Sequence, residues 1–136
     1  MATHHTPILI KLCDPSHFPS HPQFLISQTH LCGLKPIIDN LLGQGLLVPK
    51  ILPYNTPILP VQKAAGGYRL VQDLRLINEA MIPARPIVPN PYTLLCDIPS
   101  SMTHFTVIEL KDAFFTIPLH PDFQFLFAFT WTDPET

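Results

Sequence analysis

The chain has 136 residues, of which 46% are hydrophobic and 13% charged, so it has ample material for a core and little charge to solvate a surface. Seventeen prolines, against roughly 5% in ordinary proteins, punctuate it too often for a long-helix bundle or coiled coil. Eight Lys+Arg against ten Asp+Glu give a net charge of −2, so no global basic field holds a phosphate backbone and any nucleic-acid contact rests on a few placed cations.

Residues 1–26 are rich in Pro and His, with apolar bursts at Ile8-Leu9-Ile10 and Phe24-Leu25-Ile26, and read as an extended arm with little core of its own. The start carries no basic segment followed by an apolar one, and no apolar run approaches the ~18–20 residues of a membrane span. Cys13, Cys32 and Cys96 are odd in number and widely spaced, which favours reduced thiols and an intracellular, cytoplasmic setting. Leu31, Leu34, Ile37, Ile38, Leu41 and Leu42 form one face of a 3.6-residue repeat. Ser27 can cap that helix, Gly43 and Gly45 can end it, and Pro36 either kinks or restarts it.

Strand texture follows. Pro53-Tyr54-Asn55 reads as a turn, and Thr56–Lys63 and Tyr68–Gln72 read as strands joined by Ala64-Ala65-Gly66-Gly67, which tolerates the positive φ of a hairpin loop. Asp73 can cap a short helix reaching Asn78. Prolines 83, 86, 89 and 91 interrupt the chain before a short helical stretch at Tyr92–Cys96. Phe105–Leu110 reads as a buried strand carrying one acid, Glu109. Between Ile108 and Leu110 such a Glu has to be protonated, paired or facing a cleft. Asp112–Thr116 suggests a tight helical turn, and Gln124–Trp131 another strand.

The segments GLLVPK, YNTPILPVQK, GYRLVQDLRLIN, VPNPYTLL, TVIELKDAFFTIPLHP and LFAFTWTDPE, in that order, resemble retroviral reverse transcriptase of the gammaretrovirus-like endogenous class. The resemblance covers residues 30–136. It implies an α+β fold, part of a right-hand polymerase: the arm at 1–26, fingers and connector at 27–97, and the start of a palm at 98–136 with its sheet incomplete. By resemblance, Lys63 and Arg69 close on the triphosphate, as a point charge and a fork suited to phosphate oxygens. Asp112, Ala113 and Phe114 form the turn facing the nucleotide, with Phe114 the aromatic gate against a ribose 2′-hydroxyl and Phe115 behind it. Arg75 and Asn78 match template-contacting positions. Implied partners are a primer–template and a deoxynucleoside triphosphate, with no membrane.

Two-metal phosphoryl transfer needs several carboxylates around a Mg²⁺ pair. The family pattern Leu-Asp-Leu-Lys-Asp-Ala-Phe here has Glu109 at its first acid. One added methylene exceeds the tolerance of an octahedral ion bound at ~2.0–2.1 Å, and a misplacement of about 1 Å can cost ~100-fold. The family's Tyr-x-Asp-Asp hairpin is absent from the 136 residues. The expectation is a truncated reverse transcriptase-like domain, catalytically inactive alone, in which Glu109 holds Mg²⁺ weakly and unproductively.

Plainer readings stand beside these. Lys63 and Arg69 can be solvated hairpin charges, Asp112 a helix cap, and Phe114 and Phe115 half-packed core. Cys13, His17, His21, His30 and Cys32 follow no standard zinc spacing. Two P-x-x-P motifs at 83–86 and 86–89 are possible SH3 ligands, in a stretch that also matches the connector. Two other functions remain open: a non-catalytic nucleic-acid or nucleotide-binding module, and a protein-interaction element that self-associates through an exposed sheet edge.

Overall fold

A computed structural model describes residues 6–84 and 88–136. The P-x-x-P motifs include residues 85–87 and so lie outside the described residues.

The helical periodicity becomes helix α1, Gln28–Gly43. Ser27 caps it from an extended conformation, its hydroxyl accepting the His30 N–H at 3.4 Å. The helix runs through Pro36 and buries Leu34, Ile38 and Leu41, the i, i+4, i+7 stripe of its sequence. Beyond Gly43 the Gln44 N–H bonds the Asn40 carbonyl, and Gly45 at φ +68° turns the chain away.

The hairpin forms as expected but shorter: β1, Ile58–Gln62, pairs antiparallel with β2, Tyr68–Gln72, with Ile58 opposite Gln72 and Gln62 opposite Tyr68. Gly66 and Gly67 take φ +91° and +77° in the loop, which a side chain would resist. Because side chains alternate, one face of the hairpin carries Ile58, Pro60, Leu70 and Tyr68, and α1 packs there. Ile58 is wholly buried. The Tyr68 ring lies against Gly33 and meets the His30 ring edge-on at 5.4 Å.

A second core joins elements far apart in sequence. Helix α2, Arg75–Ala80, buries Ile77 against Ile10, Leu12 and Leu126, with Phe18, Phe123 and Phe125 around them. Residues 6–26 of the arm carry no helix, yet they supply the core residues Ile10 and Leu12. The arm's backbone is stitched on two sides. The Cys13 N–H bonds Ala80 at 2.8 Å and the Ile82 N–H bonds Lys11 at 2.7 Å, while the Ile8 N–H bonds Pro118 at 2.9 Å and the His120 N–H bonds Ile8 at 3.0 Å. Prolines and histidines disguised this role, because its partners lie in α2 and beyond residue 117.

Helix α3 is short, Pro91–Cys96, capped by Asn90, whose side chain accepts the Tyr92 N–H at 3.0 Å. After it the sequence reading needs correction. Residues 105–110 form no strand: they are exposed, and no described segment pairs with them. A run of β-branched residues favours extended backbone, but a strand exists only with a neighbour to take its hydrogen bonds. Glu109 is accordingly exposed rather than buried. The first half of the second expected strand lies in a 3-10 turn, Pro121–Phe127, because Pro121 presets its first φ and His120 Nδ1 accepts the Asp122 N–H at 3.3 Å. Only the residues after it are extended. They run beside Asn55 and Thr56, where the Thr56 N–H bonds Ala128 at 2.7 Å and its buried hydroxyl bonds Leu126 at 2.8 Å.

Candidate functional site

Lys63 and Arg69 come together through register. Val61 lies opposite Arg69, and Lys63 is one pleat beyond Val61, so both cations share the hairpin face that α1 leaves open, with Leu59 and Val71. Both are exposed, and among the described residues neither has an ion-pair partner. The Lys63 N–H to Gly67 bond at 3.0 Å and the Gly66 N–H to Lys63 bond at 3.0 Å fix the loop between them.

Arg75 and Asn78 lie three residues apart on α2, both exposed, and so face the same way. Arg75 is not free. Its Nε donates to Asp73 Oδ1 at 2.9 Å and a terminal nitrogen donates to Oδ2 at 2.6 Å. The same Oδ1 accepts the Arg75 backbone N–H at 3.2 Å, so Asp73 supports the helix start from one residue before Leu74, which holds the cap position itself. This fork, and then the backbone bond, pull the Asp73 carboxyl down to about 2 and push the Arg75 guanidinium upward.

Asp112 caps the 3-10 turn Ala113–Thr116 by conformation alone: φ is 54° and ψ 33°, and its side chain makes no capping bond. The expected carboxylate cap is therefore replaced by the main chain, where the Phe115 N–H bonds the Asp112 carbonyl at 3.0 Å. Asp is one of the few residues besides Gly that take this left-handed conformation at single positions. Phe114 is 88% exposed, so it is not the half-packed core residue the plainer reading offered, whereas Phe115 at 41% is half-packed. Ala113 is half-buried.

Among the described residues, no three His, Cys, Asp or Glu side chains gather as a metal would require. Glu109 stands exposed three residues before Asp112, while His21 of the arm bonds the Pro22 carbonyl and His30 of α1 packs on Tyr68. These residues do not fit a pair of Mg²⁺ ions, which needs several converging carboxylates.

Several positioning residues escaped the sequence reading. Asn55, read as part of a turn, donates to the His21 carbonyl at 2.7 Å and accepts from the Thr130 N–H at 2.6 Å and the Thr130 hydroxyl at 2.8 Å. It fastens the arm and the last extended segment to the base of the hairpin. Lys35 bonds Asp133 at 2.9 Å and Asp39 at 3.4 Å, and these partners hold its ammonium more firmly charged than usual. A shallow cleft of about 200 Å³ also opens between arm and helix, lined by His21, Phe24, Pro57, Asp73, Arg75, Leu76 and Glu79. No local motif announces it, since its walls are far apart in the chain.

No family model matches the chain. Over 130 residues it is 45% identical to the Gag-Pol polyproteins of koala retrovirus and gibbon ape leukemia virus, covering 95% of this chain and 8% of each polyprotein. Its fold is similar to part of the prototype foamy virus protease-reverse transcriptase, with a TM-score of 0.73 and 26% identity over 96% of this chain and 17% of that one. The foamy viral protease-reverse transcriptase dRH in complex with ds DNA gives a TM-score of 0.76 at 27% identity, covering 94% of this chain and 22% of that one. The chain is thus similar to a segment of retroviral Pol, as a small mixture of helices and a two-stranded sheet. Among the described residues, no helix is long and apolar enough to cross a membrane.

Proposed function

We propose that these 136 residues correspond to the fingers and the opening of the palm of a reverse transcriptase, and that alone they contact template and triphosphate without adding nucleotides. The observation that carries this reading is the placement of Lys63 and Arg69, unpaired among the described residues, on one open face of the hairpin. There a compact ammonium and a planar fork can both reach the oxygens of one polyphosphate. The likeness to a protease-reverse transcriptase solved with ds DNA supports it.

In this reading Arg75 and Asn78 touch the template strand from α2. Arg75 then works with a guanidinium already oriented by Asp73. Phe114, standing out from the Asp112 turn, is free to meet a sugar ring. Chemistry is missing because Glu109 is a lone exposed carboxylate and the sequence has no adjacent pair of aspartates. Primer extension on an RNA template with Mg²⁺ or Mn²⁺ tests this: we expect no turnover from the chain and none from Glu109→Asp. Turnover above background overturns the inactivity. Binding of a primer–template that weakens steeply with salt, and is lost in Lys63→Ala/Arg75→Ala, is expected, since phosphate contacts release counterions. Absence of binding at low salt removes the nucleic-acid reading.

A second reading has its own observation. Phe105, Val107, Ile108 and Leu110 are all at least two-thirds exposed, in a sequence whose apolar content belongs to a core. That surface suits association with another protein or with a second copy.

A further inference from the structure

The two outer edges of the hairpin are not alike. The Asp73 N–H bonds Pro57 at 2.8 Å and the Lys63 N–H bonds Gly67 at 3.0 Å, so the odd-numbered residues exchange hydrogen bonds across the hairpin. The even-numbered ones turn their backbone groups outward. On β1 that outward edge is closed at its Ile58 end and lacks a donor at Pro60, which leaves only Gln62 open near the loop. The Gln23 side chain docks on Ile58 as a strand would, Nε2 donating to the Ile58 carbonyl at 2.9 Å and Oε1 accepting its N–H at 2.9 Å. Thr56 is bonded to Ala128, and Pro60 has no N–H to offer.

On β2 the corresponding groups of Tyr68, Leu70 and Gln72 have no hydrogen-bond partner among the described residues. Such an edge accepts an added strand. Its charge selects the occupant. Arg69 stands on the open face beside this edge with Lys63 near it, and no described acid pairs with either. A second copy pairing antiparallel about Leu70 would bring two Arg69 side chains diagonally together on one face, which like charges disfavour. A strand with an acid opposite Arg69 and an apolar residue opposite Val71 meets both neighbours favourably.

We propose that the outer edge of β2 is a docking site for an extended acidic peptide segment of a partner protein, added to the hairpin as a third strand. The main-chain ladder of Tyr68, Leu70 and Gln72 supplies the grip, and Arg69 supplies the choice. This does not depend on the triphosphate reading, which uses the cation heads and leaves the backbone edge alone.

Residue-resolved hydrogen exchange on the 136-residue chain tests it, with the blocked hexapeptide Val-Thr-Val-Glu-Val-Thr as probe. In the free chain the amides of Arg69 and Val71 should exchange slowly and those of Tyr68, Leu70 and Gln72 fast. The peptide should slow the second set alone. Arg69→Glu should weaken that peptide about fivefold and favour its Glu-to-Lys counterpart by a similar factor, as expected for an exposed cross-strand pair. Leu70→Pro removes the central outward N–H of the edge, together with a half-buried side chain on the α1 face, and should abolish docking. If that variant fails to fold, the Arg69→Glu swap still decides. Edge amides already protected in the free chain, no protection by the peptide, or protection by oligothymidylate in place of peptide would overturn the proposal.

Discussion

Asp73 and Arg75 illustrate how a single residue's chemistry is set two positions away. The guanidinium fork and the backbone N–H of Arg75 both hold the carboxylate, drawing it from 3.8 to about 2. Since the folded-state value lies below the unfolded one, the pairing contributes stability above about pH 4, and that contribution is lost as pH falls through about 2. A carboxyl titration followed by NMR should therefore place Asp73 at about 2, well below the ordinary 3.8, and Arg75→Ala should return it toward 3.8. An Asp73 that already titrates at its ordinary value in the unsubstituted chain would mean that the pair does not persist in solution. The same pairing bears on template contact: a strand using Arg75 meets a preoriented guanidinium with part of its donor set committed, so Arg75→Lys, which cannot make the fork, should bind less well than charge alone suggests.

At the scale of elements, α1 and the hairpin depend on a close approach between Gly33 and Tyr68. A Cβ on Gly33 would run into the Tyr68 ring, whereas one on Gly43, at the end of the same helix, meets open space. Both changes to Ala gain helix propensity, up to ~1 kcal/mol. Gly33→Ala also overpacks, at a cost of roughly 1–3 kcal/mol. Urea denaturation should show Gly43→Ala stabilising and Gly33→Ala destabilising, and removing the ring with Tyr68→Ala should erase the penalty at Gly33. Equal effects at the two glycines would show that α1 does not seat on β2 as described. The sequence announces both elements because their signals are local: a 3.6-residue stripe from Leu31 to Leu42, and two glycines in a loop. It conceals the seat of Tyr68 on Gly33, and equally Asn55 and Gln23, whose partners are fixed only once distant segments meet. Phe105–Leu110 misleads for the opposite reason. Its local signal for a strand is strong, but no described neighbour completes it.

On the scale of the whole molecule, apolar content and core do not match. Ile10, Leu12, Ile77 and Leu126 form one small core and α1 with Ile58 another, while Val107 remains 94% exposed and Ile108 79%. Apolar surface gathered in one stretch, rather than scattered singly, drives association in water. The isolated chain should accordingly show a sedimentation-average mass that rises with concentration. Val107→Asp/Ile108→Asp should shift it toward monomer without lowering its melting temperature, because neither side chain is part of a core. Leu34→Asp, by contrast, should unfold the chain, since it puts a charge at a fully buried position. The surface responsible is separable from the β2 edge: Leu70→Pro should leave association intact while closing that edge to a peptide. A chain that stays monodisperse and monomeric at every concentration, and melts in one cooperative transition, would show that residues 105–117 are covered in solution by a packing different from the one described.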